Sequence, residues 1–204
     1  MNAGGLSRMR RPDGGVARLK AAAGGGGIRL GGLMTVRDVA HRLPSIADLR
    51  SHCRSLAMLD AILGPDWEDR LYSFNAHWAD GEEMASMRDG SGDEYSIVSG
   101  RAGAYIRGFG HECPMNSHAR HGEPWPGVID EVPAAFRSCV NEPAFRDEDG
   151  VPIVTACLWR EVTDDQWHHG AIDFPTGKSN PDGGGRSSPL TNWVKSSVHP
   201  RRLA

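Results

Sequence analysis

The stretch from Glu83 to Phe109 constrains the fold of this chain more than any other. Three short segments, 84–88, 94–98 and 104–109, carry β-branched, aromatic and methionine side chains, and they are separated by 89–93 (DGSGD) and 99–103 (SGRAG). Glycine and aspartate tolerate the left-handed backbone angles of tight hairpin turns, so the segments read as an antiparallel meander. A meander of this length needs a second layer to bury one of its faces. The rest of the chain has to supply it.

The cover is expected from the N-terminal side. Thr35 and Asp38 form a capping pair ahead of Val36, Val39, Ala40 and Leu43, until Pro44 ends that helix. Ser45 and Asp48 repeat the pattern. They open a longer helix whose stripe is Ile46, Leu49, Cys53, Leu56 and Leu63 and whose end is marked by Gly64 and Pro65. A further strand is expected at 71–75. Beyond the meander, 111–127 (HECPMNSHARHGEPWPG) reads as a long loop because three prolines withhold backbone donors, and loops of that length are often functional. A short helix is expected over 132–140 and a polar connection over 142–150. The run 153–159 is apolar on both faces and reads as a central strand, turned back at 163–165 into a last strand at 167–174.

The expected class is therefore α+β, with N-terminal helices packed on an antiparallel sheet of about five or six strands. One domain over 34–174 is flanked by two tails, 1–33 and 175–204. Ten of the 26 glycines fall in the first 33 residues, where bulky apolar residues are scarce, so neither tail is expected to fold alone. Both tails are basic. Residues 1–33 carry six Arg or Lys against Asp13, and 175–204 carry five against Asp182; with a whole-chain charge of −3, the middle holds −12 and no lysine. Tails so unlike the middle point to a start upstream of the native one at Met34 and a change of reading frame near Gly183.

A middle this acidic repels phosphate backbones, which argues against nucleic-acid binding by the domain and favours a basic protein partner. The four cysteines, Cys53, Cys113, Cys139 and Cys157, show neither a CxxC pair nor dense spacing, so reduced thiols in the cytoplasm are the simplest account. Nothing in the chain reads as a membrane span or as the apolar centre of a signal peptide.

Several motifs invite a chemical reading. Within the 111–127 loop, His111, His118 and His121, with Glu112, Cys113 and Glu123, offer metal-ligand types within 13 residues, and a small metal-assisted enzyme built on this loop is the alternative function. Its spacing matches no zinc motif. Asp89, Ser91 and Asp93 alternate as the first ligands of a calcium loop would, but Glu94 replaces the required glycine and Gly100 the required acid, so a hairpin turn explains them. Gly177, Lys178 and Ser179 resemble the end of a phosphate-binding loop, yet Ile172 stands where its first glycine belongs. The pairs Glu82/Glu83, Asp93/Glu94 and Asp164/Asp165 are adjacent in sequence, which on a strand sends them to opposite faces. Trp125 is held between two prolines in EPWPG, the setting of an anchor for a partner or of a lid over the sheet. The binding residues expected are thus Trp125, Glu123, Glu112, Asp93 and Glu94. The metal candidates are His111, His118 and His121, and no cofactor is expected.

The segments YSFNAHWADGEEMASMRDGSGDEY, GAYIRGFGHE, EPWPGV and DEDGVPIVTACLWRE together resemble a set of small, uncharacterised cytosolic proteins of high-GC actinobacteria. The resemblance covers most of 34–173 and neither tail. It implies a genuine domain and brings no activity or functional residue with it. In size and charge the middle is also similar to toxin-neutralising immunity proteins, an analogy of physical character alone. The function expected is a non-catalytic acidic binding module for a basic protein, of the immunity type.

Overall fold

The computed structural model describes residues 35–64 and 66–175. The expectations for the tails, for Met34 and Gly183, and for Gly177, Lys178 and Ser179 lie outside them.

Two helices come first. In α1 (Val36–Ala40) the Asp38 carboxylate accepts hydrogen bonds from the Thr35 N–H (2.9 Å) and hydroxyl (3.1 Å). In α2 (Ile46–Leu63) the Ser45 hydroxyl accepts from the Asp48 N–H at 3.2 Å and donates to the Asp48 carboxylate at 2.6 Å. Both capping pairs satisfy backbone or side-chain donors that a bare helix start would leave without partners. Leu49 and Cys53 are buried, and Ile46 and Leu56 pack against the core. Leu63 departs from the expected stripe: it is 75% exposed, because the last turns of α2 run beyond the sheet surface available to cover them.

The sheet has five antiparallel strands in the order β1 (Tyr72–Ala79), β2 (Glu82–Arg88), β3 (Glu94–Gly100), β4 (Gly103–Phe109) and β5 (Ala156–Glu161), so each strand lies beside its neighbour in sequence. The meander is β2–β3–β4. Its first turn is organised by Asp89, whose carboxylate accepts from the Ser91 N–H (2.8 Å), the Asp93 N–H (3.1 Å) and the Ser91 hydroxyl (2.8 Å). Gly90 and Gly92 adopt φ of 77° and 101°, so the glycines stand where an L side chain would be strained. Strand β1 runs four residues past the expected 71–75, with a register shift between Asn75 and Ala79 where its residues meet solvent.

Two expectations are corrected at the other edge. The apolar run 153–159 is not a central strand, since β5 ends the sheet and pairs along its length with β4 alone. Its double-sided hydrophobicity reports burial of both faces, which says nothing about hydrogen bonding at both edges. No strand forms over 167–174. A single bridge joins His168 to Trp159, after which the chain turns away and is tied to the N-terminal segment. Trp167 Nε1 donates to the Pro44 carbonyl (2.8 Å), and Arg37 donates to the Ile172 carbonyl while its guanidinium lies 4.9 Å from the Phe174 ring.

Both faces of the sheet are covered. Tyr95, Ile97, Ile106 and Leu158 share one face by strand alternation and register, the face on which α2 lies. On the opposite face, Ser96, Tyr105, Arg107 and Cys157 look into the segment between β4 and β5. This segment has little regular structure beyond three 3₁₀ turns (Ser117–Arg120, Ala134–Phe136, Pro143–Phe145) and α3 (Arg137–Val140). It nevertheless buries Met115, Val128, Val132, Phe136 and Phe145. Tyr105 stacks on Phe136 and Trp78 on Phe145, with ring centroids 6.3 and 6.4 Å apart. The long loop of the sequence reading is thus the third layer of the domain. Among the described residues, no helix is long and apolar enough to cross a membrane.

Candidate functional site

The third layer is fastened to the sheet by a buried arginine. Arg107 projects from β4 and is 4% exposed. Its Nη2 donates to Glu94 (2.6 Å) and to the Ser96 hydroxyl (3.3 Å), its Nη1 donates to the Ile153 carbonyl (2.6 Å), and its guanidinium lies 4.7 Å from the Phe145 ring. Glu94 also meets Arg88 at 3.5 Å. A charge this deep is tolerated only with such partners. Glu94 therefore acts first as the counter-ion of Arg107.

Asp93, its neighbour, accepts from the His111 N–H (2.8 Å) and pins the start of the loop to the meander turn. The histidines then part company. The His111 side chain lies over Gly92, where a Cβ would meet its ring at 3.0 Å. His118 places Nδ1 3.6 Å from the Asp147 carboxylate and its ring edge-on to Phe109. His121 closes the Ser117–Arg120 turn in a left-handed conformation, φ 58°. Among the described residues, no three His, Cys, Asp or Glu side chains are grouped to hold a metal ion, so the three histidines do not come together as a ligand set. Glu112 and Glu123 are exposed.

Trp125 is partly buried and packs against the core. Its Nε1 donates to the Asp173 carbonyl at 2.9 Å, and the Arg120 guanidinium lies 4.8 Å from the ring. The indole thus links the loop to the segment that follows β5.

A second concavity was not legible in the sequence. A cleft of about 720 Å³ opens between the start of α2 and the hairpin ends, lined by Ile46, Arg50, His77, Glu82, Arg101 and Arg160 among others. Glu83 sits at its wall, bound by Arg50 and by Arg54 (2.7 Å), and those hydrogen bonds hold its carboxyl below the usual carboxylate range. No sequence pattern joins residues 29 and 33 positions apart. The cleft brings no cysteine to its surface. All four thiols are buried, and burial pushes Cys53 and Cys157 up to about 12 and Cys139 up to about 11, so these three remain protonated packing groups at neutral pH.

No family model, curated protein or solved structure matches the chain. The domain's most distinctive property is its charge. Residues 35–175 contain 24 Asp and Glu against 12 Arg. Among these described residues, arginine–carboxylate pairs are seen at Glu83 and Glu94. Other arginines are taken up by carbonyls and rings: Arg37, Arg120, Arg137, Arg146 and Arg160 bind Ile172, Trp125, Asp130, Gly150 and Asp164 in that way.

Proposed function

We propose that this chain is a non-catalytic acidic binding module for a basic protein partner. The observation that carries the reading is the fate of its arginines. Ten of the twelve engage the domain's own carbonyls, rings or two glutamates, and with twice as many carboxylates as arginines most of the 24 carboxylates have no arginine of the domain beside them. Unpaired surface carboxylates repel one another and nucleic acid alike, and they accelerate encounter with a positively charged protein. Toxin-neutralising immunity proteins are the physical analogue. Four buried free thiols suit a reducing cytoplasm, where such a module would meet its partner.

The test uses the full chain and the basic proteins encoded beside its gene. Co-elution at about 0.05 M salt that is lost at about 0.5 M is the expected result, because exposed charge pairs are screened over that range. Failure to bind any basic protein at low salt would remove the reading.

A further inference from the structure

The last two turns of α2 are apolar on every side but that of Asp60. Seven of the eight residues from Leu56 to Leu63 are Leu, Ala, Met or Ile, with Asp60 the exception. Leu56 packs toward the core, whereas Met58, Leu59, Ile62 and Leu63 are 53–75% exposed. At 3.6 residues per turn these four cover a continuous arc of about 140°. Trp67, 68% exposed in the 3₁₀ turn Trp67–Asp69, and Leu71, 46% exposed ahead of β1, are the next large apolar side chains along the chain. The connecting segment is folded back on the helix end: Arg70 Nε donates to the Gly64 carbonyl (3.1 Å) and the Tyr72 N–H to the Asp60 carboxylate (2.8 Å). A helix that is apolar all round is ordinarily buried all round, and a contiguous exposed apolar patch marks a contact surface.

The rim says what fits there. Asp66, Glu68 and Asp69 flank Trp67 in the chain, against the Arg70 guanidinium 5.5 Å from the Trp67 ring; all three carboxylates are exposed, and among the described residues none is in an ion pair. The last turn of α2 contains no basic residue, so the negative end of its dipole adds to the same field. An anionic lipid surface or nucleic acid would be repelled. A second copy placed across a two-fold axis through the patch would bring two sets of these carboxylates together.

We infer that this surface docks an amphipathic basic helix of the partner, with apolar side chains on Leu59, Ile62, Leu63 and Trp67 and lysine or arginine on Asp66, Glu68 and Asp69. The inference rests on the reading of the chain as an acidic binding module and assigns that module its contact surface. The acidic patch steers the approach, and the apolar face supplies most of the affinity.

The experiment titrates the full chain with a labelled synthetic helix of leucine and lysine in amphipathic order, and with its twin in which every lysine is glutamate, by fluorescence anisotropy. The lysine peptide is expected to bind and the glutamate twin not to bind. Ile62→Ser with Leu63→Ser should weaken binding by about tenfold or more, the loss typical of a central apolar contact. Asp66→Asn with Glu68→Gln and Asp69→Asn should remove most of the salt dependence. These side chains are exposed, and circular dichroism checks that each variant keeps its fold. Equal binding of both peptides, or parental affinity in both variants, would overturn the assignment. Binding of the lysine peptide that persists in these variants but is lost on Glu112→Gln with Glu123→Gln would defeat this surface and leave the module reading standing. Absence of binding to either peptide and to the basic neighbours would defeat both. Two further outcomes would overturn docking of a partner here. One is a concentration-dependent dimer, seen in sedimentation, that Leu63→Ser dissolves. The other is a carbodiimide cross-link within the monomer from Lys20, Lys178 or Lys195, the chain's three lysines, to Asp66, Glu68 or Asp69.

Discussion

Replacing Arg107 with methionine keeps most of the side-chain volume and removes its hydrogen bond to the third layer at Ile153 together with its contacts to Glu94 and Ser96. The Ile153 carbonyl loses its donor, at a cost of about 1–3 kcal/mol for a stranded buried acceptor. Glu94 loses its 2.6 Å partner but retains Arg88 at 3.5 Å, so its carboxylate is left half-compensated and not bare. Breaking one side of a buried pair commonly costs about 3–5 kcal/mol, and a contribution from the Phe145 ring contact falls within that range. Against a typical domain stability of about 5–15 kcal/mol, this is roughly a fifth or more of the whole. With a urea slope of about 2 kcal/mol/M, the midpoint followed by tryptophan fluorescence should fall by about 1.5–2.5 M. Arg107→Met combined with Glu94→Gln should lose less than the two single changes added together, by about 1 kcal/mol or more, because the second change relieves the stranded carboxylate left by the first. A midpoint shift under about 0.5 M would show that Arg107 does not hold the layers together, and strict additivity in the cycle would show that Glu94 is not its counter-ion.

Other outcomes follow from turn geometry and from buried acids. Gly103 has φ 140°, and a Cβ there would collide with the Arg160 carbonyl of the adjacent strand, whereas Gly90, φ 77°, has open space around it. Gly103→Ala should therefore destabilise by more than the about 1–2 kcal/mol of left-handed strain expected for Gly90→Ala, and equal melting temperatures for the two would refute the register of β4 on β5. Burial raises the thiols of Cys53, Cys139 and Cys157 above their ordinary 9.0, to about 12, 11 and 12. The unfolded chain then releases thiol protons that the folded chain keeps, so stability is full below about pH 9 and falls as pH rises towards the folded values. Urea midpoints at about pH 8 and pH 10 measure the fall, and an unchanged midpoint would contradict the burial. For the same reason, an aromatic disulfide reagent should label these cysteines at neutral pH only as fast as the protein opens; prompt labelling of the native chain would show otherwise.

What was legible in the sequence was local. Ser45 with Asp48, Thr35 with Asp38, and the Asp89 turn each act within four residues, and their side chains do in the structure what their spacing implies. The layer between β4 and β5 was not legible, because it is held by partners far apart in the chain: Ser117 donates to the Pro152 carbonyl, and Arg107 to that of Ile153. Irregular backbone that packs well has no period to detect. Arg107 itself left a trace, since on its strand it shares a face with Tyr105 and Phe109, and an arginine on an apolar face asks for a buried partner. The apolar ring of α2 left another: a stripe drawn through Leu49, Cys53 and Leu56 ignores Met58, Leu59 and Ile62, which the packed face does not need. The His111, His118 and His121 cluster shows the opposite failing, for closeness in sequence carried no information about where a turn, a bridge to Asp147 and a left-handed cap would send each ring.

The strand order carries a consequence for how the protein is made. Strands β2 to β4 can each pair with the strand synthesised just before, but β5 arrives only after the 46 residues that separate Phe109 from Ala156. At about 5–20 residues per second, ribosomal synthesis leaves β4 without its outer neighbour for about 2–9 seconds. All seven of its residues are buried in the finished protein. During that interval the nascent chain displays its most completely buried strand as an open edge, the kind of template on which two incomplete chains can pair. The period of greatest hazard for this domain therefore falls before it is complete, and a chaperone that shields edges would act on it there.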